Sequence, residues 1–199
     1  MHKPMKGNSV SLLWKSFLAG DKEAFAHFYN LHVNALYRYG TKLCTDDDLV
    51  KDAIQEVFLD LYLKRNKNKA NPENLRFYLI LALKRNLIKK LKRNRKLVSA
   101  DERELIFQTE YSIETTIIEN EKEAKLNQRV NEMLQILPPG QKEALYLRYN
   151  LSLEYDEVAR LMNITVESAR KQIYRALKAI RDKYGKQRML WFFISKSEE

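Results

Sequence analysis

The fold of this chain is decided by the stretch from Leu137 to Arg181, which reads LPPGQKEALYLRYNLSLEYDEVARLMNITVESARKQIYRALKAIR. Apolar residues recur in it at intervals of three and four, a period that predicts amphipathic helices. A short turn at Asn163 separates the last two predicted helices, and Thr165 is placed to cap the final one. The pattern predicts a helix-turn-helix. Its buried positions are expected to be Ala144, Leu145, Leu147, Val158, Ala159, Leu161, Val166, Ala169, Ile173, Leu177 and Ile180.

The outward face of the final helix is basic. From Val166 to Arg188 the chain carries eight basic and two acidic residues. Such a face is often only solvated, but DNA phosphates attract Lys and Arg wherever these side chains can approach them. The second helix of a helix-turn-helix enters the major groove and contacts base edges there. The candidate DNA-binding residues on this face are Arg170, Lys171, Tyr174, Arg175 and Lys178.

The chain upstream of this stretch is also predicted to be helical. Asp21 is placed to cap one long helix, and the cluster Thr45–Asp48 to begin another, with a stripe of Val50, Ile54, Val57 and Leu61. Three adjacent carboxylates could bind a metal, but a helix N-terminus favours them without one. A fourth helix is predicted from an Asn71 cap to about Lys96, with a core stripe of Phe77, Leu81, Ile88 and Leu91.

Charge divides the chain into two parts. Residues 64–96 contain thirteen basic residues and one acidic residue, whereas residues 101–132 contain nine acidic and four basic residues. Apolar residues also become sparse after residue 99, which indicates a flexible acidic linker. We therefore predict an all-α protein of two small helical domains, residues 1–98 and 126–185, joined by a linker at 99–125 and followed by a tail at 186–199.

Composition excludes several classes of protein. The five glycines are too scattered for a phosphate-binding loop, and the single cysteine, Cys44, excludes an internal disulfide or a Cys-rich metal site. No signal peptide, membrane-spanning run or catalytic constellation is visible, so we expect a cytoplasmic protein that is not an enzyme. No cofactor or metal site is expected. A net charge of +10 instead favours nucleic acid as a partner.

Two helices of the first domain carry opposite charges on their outward sides. On the third helix Asp52, Glu56 and Asp60 recur every four residues, and the pattern leaves open whether they maintain solubility or dock a protein. The helix from Arg76 to Lys96 is basic and follows an Asn-rich loop. Amide and aromatic groups beside phosphate-binding residues suit unstacked, single-stranded bases.

Two segments together resemble a known family. The stretch DAIQEVFLDLY, from Asp52 to Tyr62, resembles region two of bacterial sigma factors, and the stretch from Leu137 to Arg181 resembles region four. Chain length and the near absence of other regions are similar to the extracytoplasmic-function (ECF) type of the sigma-70 superfamily. The resemblance implies a sigma factor that binds core RNA polymerase and directs promoter recognition and opening. It also implies an anti-sigma factor as a partner.

The resemblance implies roles residue by residue. Docking on polymerase falls to Asp52, Gln55, Glu56 and Asp60. Contact with the minus-ten promoter element, double-stranded and then melted, falls to the loop and basic helix, at Asn66, Asn68, Asn71, Arg76, Lys84, Arg85, Asn86 and Lys89. Contact with the minus-thirty-five element falls to Ser168, Arg170, Lys171, Tyr174 and Arg175.

Some residues depart from the family pattern. Members often have an acidic residue where Lys90 stands, and Gly and Ser where Ser152 and Glu154 stand. We expect Lys90 to make its helix more basic without affecting DNA binding, and Ser152 to replace the missing helix cap. The alternative function is a free-standing helix-turn-helix regulator that does not bind polymerase. The first domain discriminates, because such a regulator would carry a ligand or receiver domain there.

Overall fold

The computed structural model describes residues 7–67, 71, 73–94 and 130–185, which form helices and turns without any strand. The chain divides into two compact units, and the division falls within residues 95–129. The first unit contains α1 (Gly7–Leu18), α2 (Lys22–Leu43), α3 (Asp47–Leu63) and α4 (Leu75–Asn94). The second contains α5 (residues 130–135), α6 (Pro139–Leu145), a π-helical turn (Tyr146–Asn150), α7 (Tyr155–Met162) and α8 (Val166–Tyr184). The predicted all-α fold with two helical units is confirmed. The predicted linker and tail lie outside the described residues.

Helix α3 is the centre of the first unit. It packs against both α2 and α4, which also contact each other, while α1 packs on α2. The predicted stripe of α3 is confirmed, since Val50, Ile54, Val57 and Leu61 are all buried. Each fully buried Leu, Ile or Val contributes about 1.5–3 kcal/mol of favourable transfer free energy. This burial fixes which side of α3 faces outward.

The N-terminal caps of α2 and α3 follow the sequence. The carboxylate of Asp21 accepts hydrogen bonds from the backbone N–H groups of Glu23 and Ala24, and Asp46 accepts one from Leu49 at 3.0 Å. At the other end of α2, Cys44 forms the C-terminal cap, and its thiol is buried. The predicted start of α4 at Asn71 is wrong.

Helix α4 begins at Leu75 because the preceding loop closes on itself. The backbone N–H of Asn71 donates to the Asn74 side-chain oxygen, and the Asn74 N–H donates to that of Asn71, both at 2.9 Å. The carbonyl of Asn74 then accepts the first helical hydrogen bond, from Tyr78. Asn71 therefore closes a turn, Asn74 takes the position before the helix, and α4 starts three residues later than predicted.

The face of α4 that enters the core also differs from the prediction. Phe77 is buried as expected, but the main stripe consists of Leu79, Ile80, Leu83 and Leu87, whereas Leu81, Ile88 and Leu91 are only half-buried. At 100° per residue, the helix is rotated by about 100° from the predicted orientation. This rotation turns Asn86 and Lys90 toward α3.

Helices α2 and α3 approach each other closely at Gly40. A Cβ atom built on Gly40 would lie 2.6 Å from Cγ1 of Val50, well inside normal van der Waals contact. Gly40 is buried in the last turn of α2, and within a helix glycine is otherwise unfavourable by up to about 1 kcal/mol relative to alanine. The glycine is therefore required by packing between the two helices.

We expect Gly40→Ala to lower the free energy of unfolding by about 1–3 kcal/mol, because overpacking outweighs the better helix propensity. Urea denaturation followed by circular dichroism measures this loss. The control is the same change in a Val50→Ala background, where the clashing methyl groups are absent and Gly40→Ala should be neutral or stabilising. An equal loss in both backgrounds would contradict the proposed contact.

The second unit contains the predicted helix-turn-helix. Helix α7 ends at Asn163, which adopts a left-handed conformation with φ 53°, and α8 begins after Thr165, whose hydroxyl accepts a hydrogen bond from the Ser168 N–H. Most predicted core positions are buried. Two predicted positions differ. Leu177 is only half-buried, and Val166 is 40% exposed in the first turn of α8.

The expected capping role of Ser152 is wrong. Glu154 is the N-cap of α7, and its backbone N–H donates to the Glu157 carboxylate at 2.9 Å. Ser152 lies two residues earlier and is left-handed, with φ 54°. This conformation favours glycine, which explains why a glycine suits the position.

Candidate docking surface and nucleic-acid interface

The outward face of α3 presents all four predicted docking residues. Asp52, Gln55, Glu56 and Asp60 are exposed, as helical periodicity required. Sequence reasoning missed two leucines on the same face, Leu59 and Leu63, which are 56% and 65% exposed. Successive steps of 100° place both within about 20° of Asp52 around the helix axis, so the heptad spacing of this face could have revealed them. We call these six residues the α3 surface.

The carboxylates of the α3 surface are engaged by side chains of the same unit. The Lys90 ammonium lies 2.5 Å from Asp52 Oδ2 and 2.7 Å from Glu56 Oε1. The Asn86 amide donates to Glu56 Oε2 at 2.8 Å, and Lys64 pairs with Asp60 at 2.5 Å. Hydrogen bonds from Lys90 and then Asn86 hold the pKa of Glu56 below its usual value. Lys90 therefore belongs to the α3–α4 contact, rather than simply adding to the basic outer side of α4 as expected.

The structure separates the predicted DNA-binding residues of α4 into three groups. Arg85 and Lys89 are exposed on the side away from the core. Arg76 and Lys84 are half-buried, and Asn86 is half-buried against α3. Only the first group, continued by Lys92 and Arg93 at the end of the helix, presents its charges to solvent as a contiguous basic surface. The fold therefore does not bring all of the predicted residues together on one DNA-binding surface.

The predicted DNA-binding asparagines of the loop before α4 differ in their surroundings. Asn66 is exposed at the end of the turn that follows α3, and Asn71 is exposed with its side-chain oxygen bound to the Asn74 N–H. Asn68, also predicted to contact DNA, lies outside the described residues. Sequence reasoning missed Arg65, whose guanidinium stacks over the Tyr62 ring at 4.7 Å and donates to the Tyr62 carbonyl.

A buried histidine lies near the N-terminal end of α4. His32 of α2 is 6% exposed, and its Nδ1 atom has no hydrogen-bond partner. Burial, together with the nearby charges of Arg76 and His27, lowers the pKa of His32 to about 4. The imidazole is therefore neutral in the folded protein at pH 7.

This buried imidazole should make the first unit sensitive to acid. Because the pKa is depressed in the folded state, the unfolded chain binds the proton more tightly, and stability is lost as pH falls from about 6.5 toward 4. Between pH 7 and pH 5 we expect His32 to account for a loss of about 2 kcal/mol in the free energy of unfolding.

The measurement is urea denaturation at both pH values, followed by the fluorescence of Trp14 in a Trp191→Phe background. The control is His32→Gln, which removes the titrating group. Its stability should differ between pH 7 and pH 5 by about 2 kcal/mol less than that of the parent protein. An equal pH dependence in the two proteins would rule out His32 as the source.

Helix α8 exposes five of its six predicted DNA-binding residues, namely Arg170, Lys171, Tyr174, Arg175 and Lys178. The sixth, Ser168, is half-buried and accepts a hydrogen bond from the Thr165 hydroxyl at 2.9 Å as part of the cap. Lys171 pairs with Glu167 one turn earlier, at 2.6 Å. The exposed face thus combines cationic side chains with one aromatic side chain, Tyr174, which is 63% exposed.

Sequence reasoning missed the support of Arg170 by α7. The Arg170 guanidinium lies over the Tyr155 ring, 5.4 Å from its centroid, and Arg148 lies over the same ring at 4.8 Å. Arg148 is itself held by the Leu153 carbonyl at 2.7 Å and by Glu154 at 3.1 Å. Such cation–π contacts orient a guanidinium without neutralising it. Arg170 is therefore held toward the N-terminal end of α7.

Two of the acidic residues at the start of α3 form local contacts. Asp46 caps the helix, and Asp47 pairs with Lys51 and accepts a hydrogen bond from the Tyr37 hydroxyl, both at 2.5 Å. Within residues 7–67, 71, 73–94 and 130–185, no three His, Cys, Asp or Glu side chains are grouped to hold a metal ion. Among the helices described, none has the length and apolarity needed to cross a membrane.

The fold and these surfaces define a class of two-domain, helix-turn-helix proteins with basic faces for DNA. A model of the sigma-70 region 2 family matches residues 28–97, and a model of sigma-70 region 4 matches residues 127–180. The chain belongs to the sigma-70 family and is a sigma factor of the ECF type. The region 2 match lies in the first unit, and it decides against the free-standing regulator that the sequence left open.

Known relatives agree with this assignment. The ECF RNA polymerase sigma factor SigM of Bacillus subtilis (strain 168) is 22% identical over 161 residues, which cover 79% of this chain and 93% of the relative. The fold is similar to that of CnrH in complex with the cytosolic domain of CnrY, with a TM-score of 0.54 and 18% identity over 87% of this chain and 96% of that one. It is also similar to sigma factor RpoE in complex with the anti-sigma factor NepR from Bartonella quintana, with a TM-score of 0.51, 15% identity, and coverage of 81% and 98%.

Proposed function

We propose that this sigma factor docks on core RNA polymerase through the α3 surface. The observation that carries the proposal is that Asp52, Gln55, Glu56 and Asp60 are exposed side by side, around two leucines whose apolar surface faces solvent. Exposed leucines surrounded by polar groups are typical of protein interfaces. Carboxylates at the edge of such a patch favour a partner that presents basic side chains.

Promoter DNA is assigned to two other surfaces. We assign the minus-ten element to the exposed side of α4, with Arg85 and Lys89 at its centre and the loop from Asn66 to Asn74 beside it. The minus-thirty-five element is assigned to the exposed face of α8. In this division the half-buried residues Arg76, Lys84 and Asn86 act mainly by positioning α4, because only their outer atoms face solvent.

The same proposal covers location, regulation and domain limits. As a dissociable subunit of RNA polymerase, the protein would work in the cytoplasm. It would act there as a DNA-binding regulator rather than as an enzyme. The domain limits remain those predicted, at residues 1–98, 99–125, 126–185 and 186–199. One structural relative, RpoE from Bartonella quintana, was solved with an anti-sigma factor. We propose that an anti-sigma factor also controls this chain.

The docking proposal predicts the effect of neutralising two carboxylates. The double variant Asp52→Asn, Glu56→Gln should bind core RNA polymerase at least about tenfold more weakly, because paired charges at interfaces commonly contribute 1.5 kcal/mol or more. Titration of a fluorescently labelled sigma factor with core enzyme measures the affinity, and circular dichroism verifies the fold.

The matched control removes two exposed carboxylates elsewhere in the first unit, at Glu23 and Glu73. Glu23→Gln, Glu73→Gln should retain the affinity of the parent protein. If the two double variants bind equally well, the α3 surface is not the docking site.

The α8 assignment predicts different effects for two arginines. Arg170 and Arg175 are about 140° apart around the axis, so they cannot contact the same base. Arg170 lies in the first turns of α8, which enter the groove most deeply. Arg170→Ala should therefore relax preference at one or two upstream promoter positions, by about 1–3 kcal/mol.

Arg175→Ala should instead weaken binding to all DNA sequences equally. It should also reduce the slope of log affinity against log salt by about 0.9. Holoenzyme selections on randomised upstream elements, followed by salt titrations on the selected sites, test both expectations. If Arg175→Ala changes the selected sequence and Arg170→Ala does not, the two roles are reversed.

A further inference from the structure

The α3 surface already holds a cation of its own. The Lys90 ammonium contacts Asp52 and Glu56 simultaneously, at 2.5 and 2.7 Å. Its side chain is only 19% exposed, whereas the side chains of Asp52 and Glu56 are 57% and 50% exposed. The lysine therefore reaches the two carboxylates from the buried side, along the α3–α4 contact. The carboxylates themselves remain accessible to a partner.

Both oxygens of Glu56 already accept a hydrogen bond within the unit. Its Oε1 atom accepts from Lys90 and its Oε2 atom accepts from Asn86 at 2.8 Å. A partner guanidinium that binds a carboxylate through two parallel hydrogen bonds needs both oxygens. Each carboxylate oxygen can accept about two hydrogen bonds, so such a group would share both oxygens of Glu56 with Lys90 and Asn86.

Lys90 also reduces the charge that attracts a partner. Asp52 and Glu56 carry two negative charges, and Lys90 cancels one of them at hydrogen-bonding distance. Long-range attraction between complementary surfaces governs the rate of association, and it weakens as the net charge of the patch falls. Lys90 therefore opposes a basic partner in two ways. Before contact it lowers the net negative charge of the patch, and at contact its ammonium repels a partner cation that approaches the same two carboxylates.

We propose that Lys90 is an intramolecular competitor of core RNA polymerase for Asp52 and Glu56. The inference rests on the proposed docking function of the α3 surface and adds a residue that limits its affinity. Ion pairs between partly exposed groups are weak, so polymerase displaces Lys90 readily, and the competition adjusts binding rather than preventing it. Removal of the charge should strengthen docking about fivefold at low salt.

The test is Lys90→Met, which preserves the length and packing of the stem and removes the ammonium. Its affinity for core RNA polymerase should be about fivefold higher than that of the parent protein at low salt, with a steeper decline as salt rises. The control is Lys15→Met, an exposed lysine of α1 whose loss changes the net charge equally. The two variants are also compared at about 0.15 M salt, where the Debye length is only about 8 Å. Under that condition Lys15→Met should change the affinity by less than about twofold, whereas Lys90→Met should still strengthen binding through its direct contact with the two carboxylates.

A second comparison shows where Lys90 acts. In the Asp52→Asn, Glu56→Gln background, Lys90→Met should no longer strengthen binding, because the contested carboxylates are gone. Circular dichroism verifies that each variant folds, and Lys90→Gln replaces Lys90→Met if the apolar side chain impairs folding. Unchanged or weaker binding by the folded Lys90 variant overturns the proposal and makes the lysine a positioning residue of the α3–α4 contact.

The two hypotheses can fail separately. If Asp52→Asn, Glu56→Gln leaves polymerase binding unchanged, the docking surface itself is wrong, and competition at that surface is overturned with it. If the double variant weakens binding but Lys90→Met does not strengthen it, the docking surface stands and only the competition is overturned.

Discussion

The burial of one side of α3 against α2 and α4 determines where the charged groups of the first unit lie. Gly40 allows α2 to approach α3 so closely that Val50 fills the space a side chain would need. With that side fixed, the remaining arc of α3 must face outward, and it carries Asp52, Glu56 and the two exposed leucines. The packing of α4 on the same helix then brings Lys90 to the edge of this arc. The candidate docking surface is thus a consequence of core packing.

The sequence predicted helices α3 and α8 well because several independent signals agree there. Each has an N-terminal capping residue, Asp46 or Thr165, followed by a stripe of apolar residues on one side and charges on the other. The residues on the exposed faces then follow directly from the helical period of the apolar stripe. For this reason all four docking residues and five of the six residues predicted on α8 are exposed.

The orientation of α4 could not be obtained in the same way. Between Leu75 and Leu91 its apolar residues occupy more than half of the helix circumference, so at least two different stripes satisfy the helical period. Contact with α2 and α3 selects the stripe that includes Leu83 and Leu87. The ion pair between Lys90 and Asp52, separated by 38 residues, depends on that selection and leaves no local signal in the sequence. The stacking of Arg170 on Tyr155 was missed for the same reason.

The buried thiol at the end of α2 has a further consequence for following this protein in solution. Cys44 is the single cysteine of the chain and is 8% exposed, directly before the turn that leads into α3. A thiol reagent modifies only accessible sulfur, so its reaction with Cys44 requires the junction of α2 and α3 to open. The labelling rate of the unaltered protein therefore reports the local opening equilibrium of the element that carries the docking surface, whether the sigma factor is free or bound to polymerase.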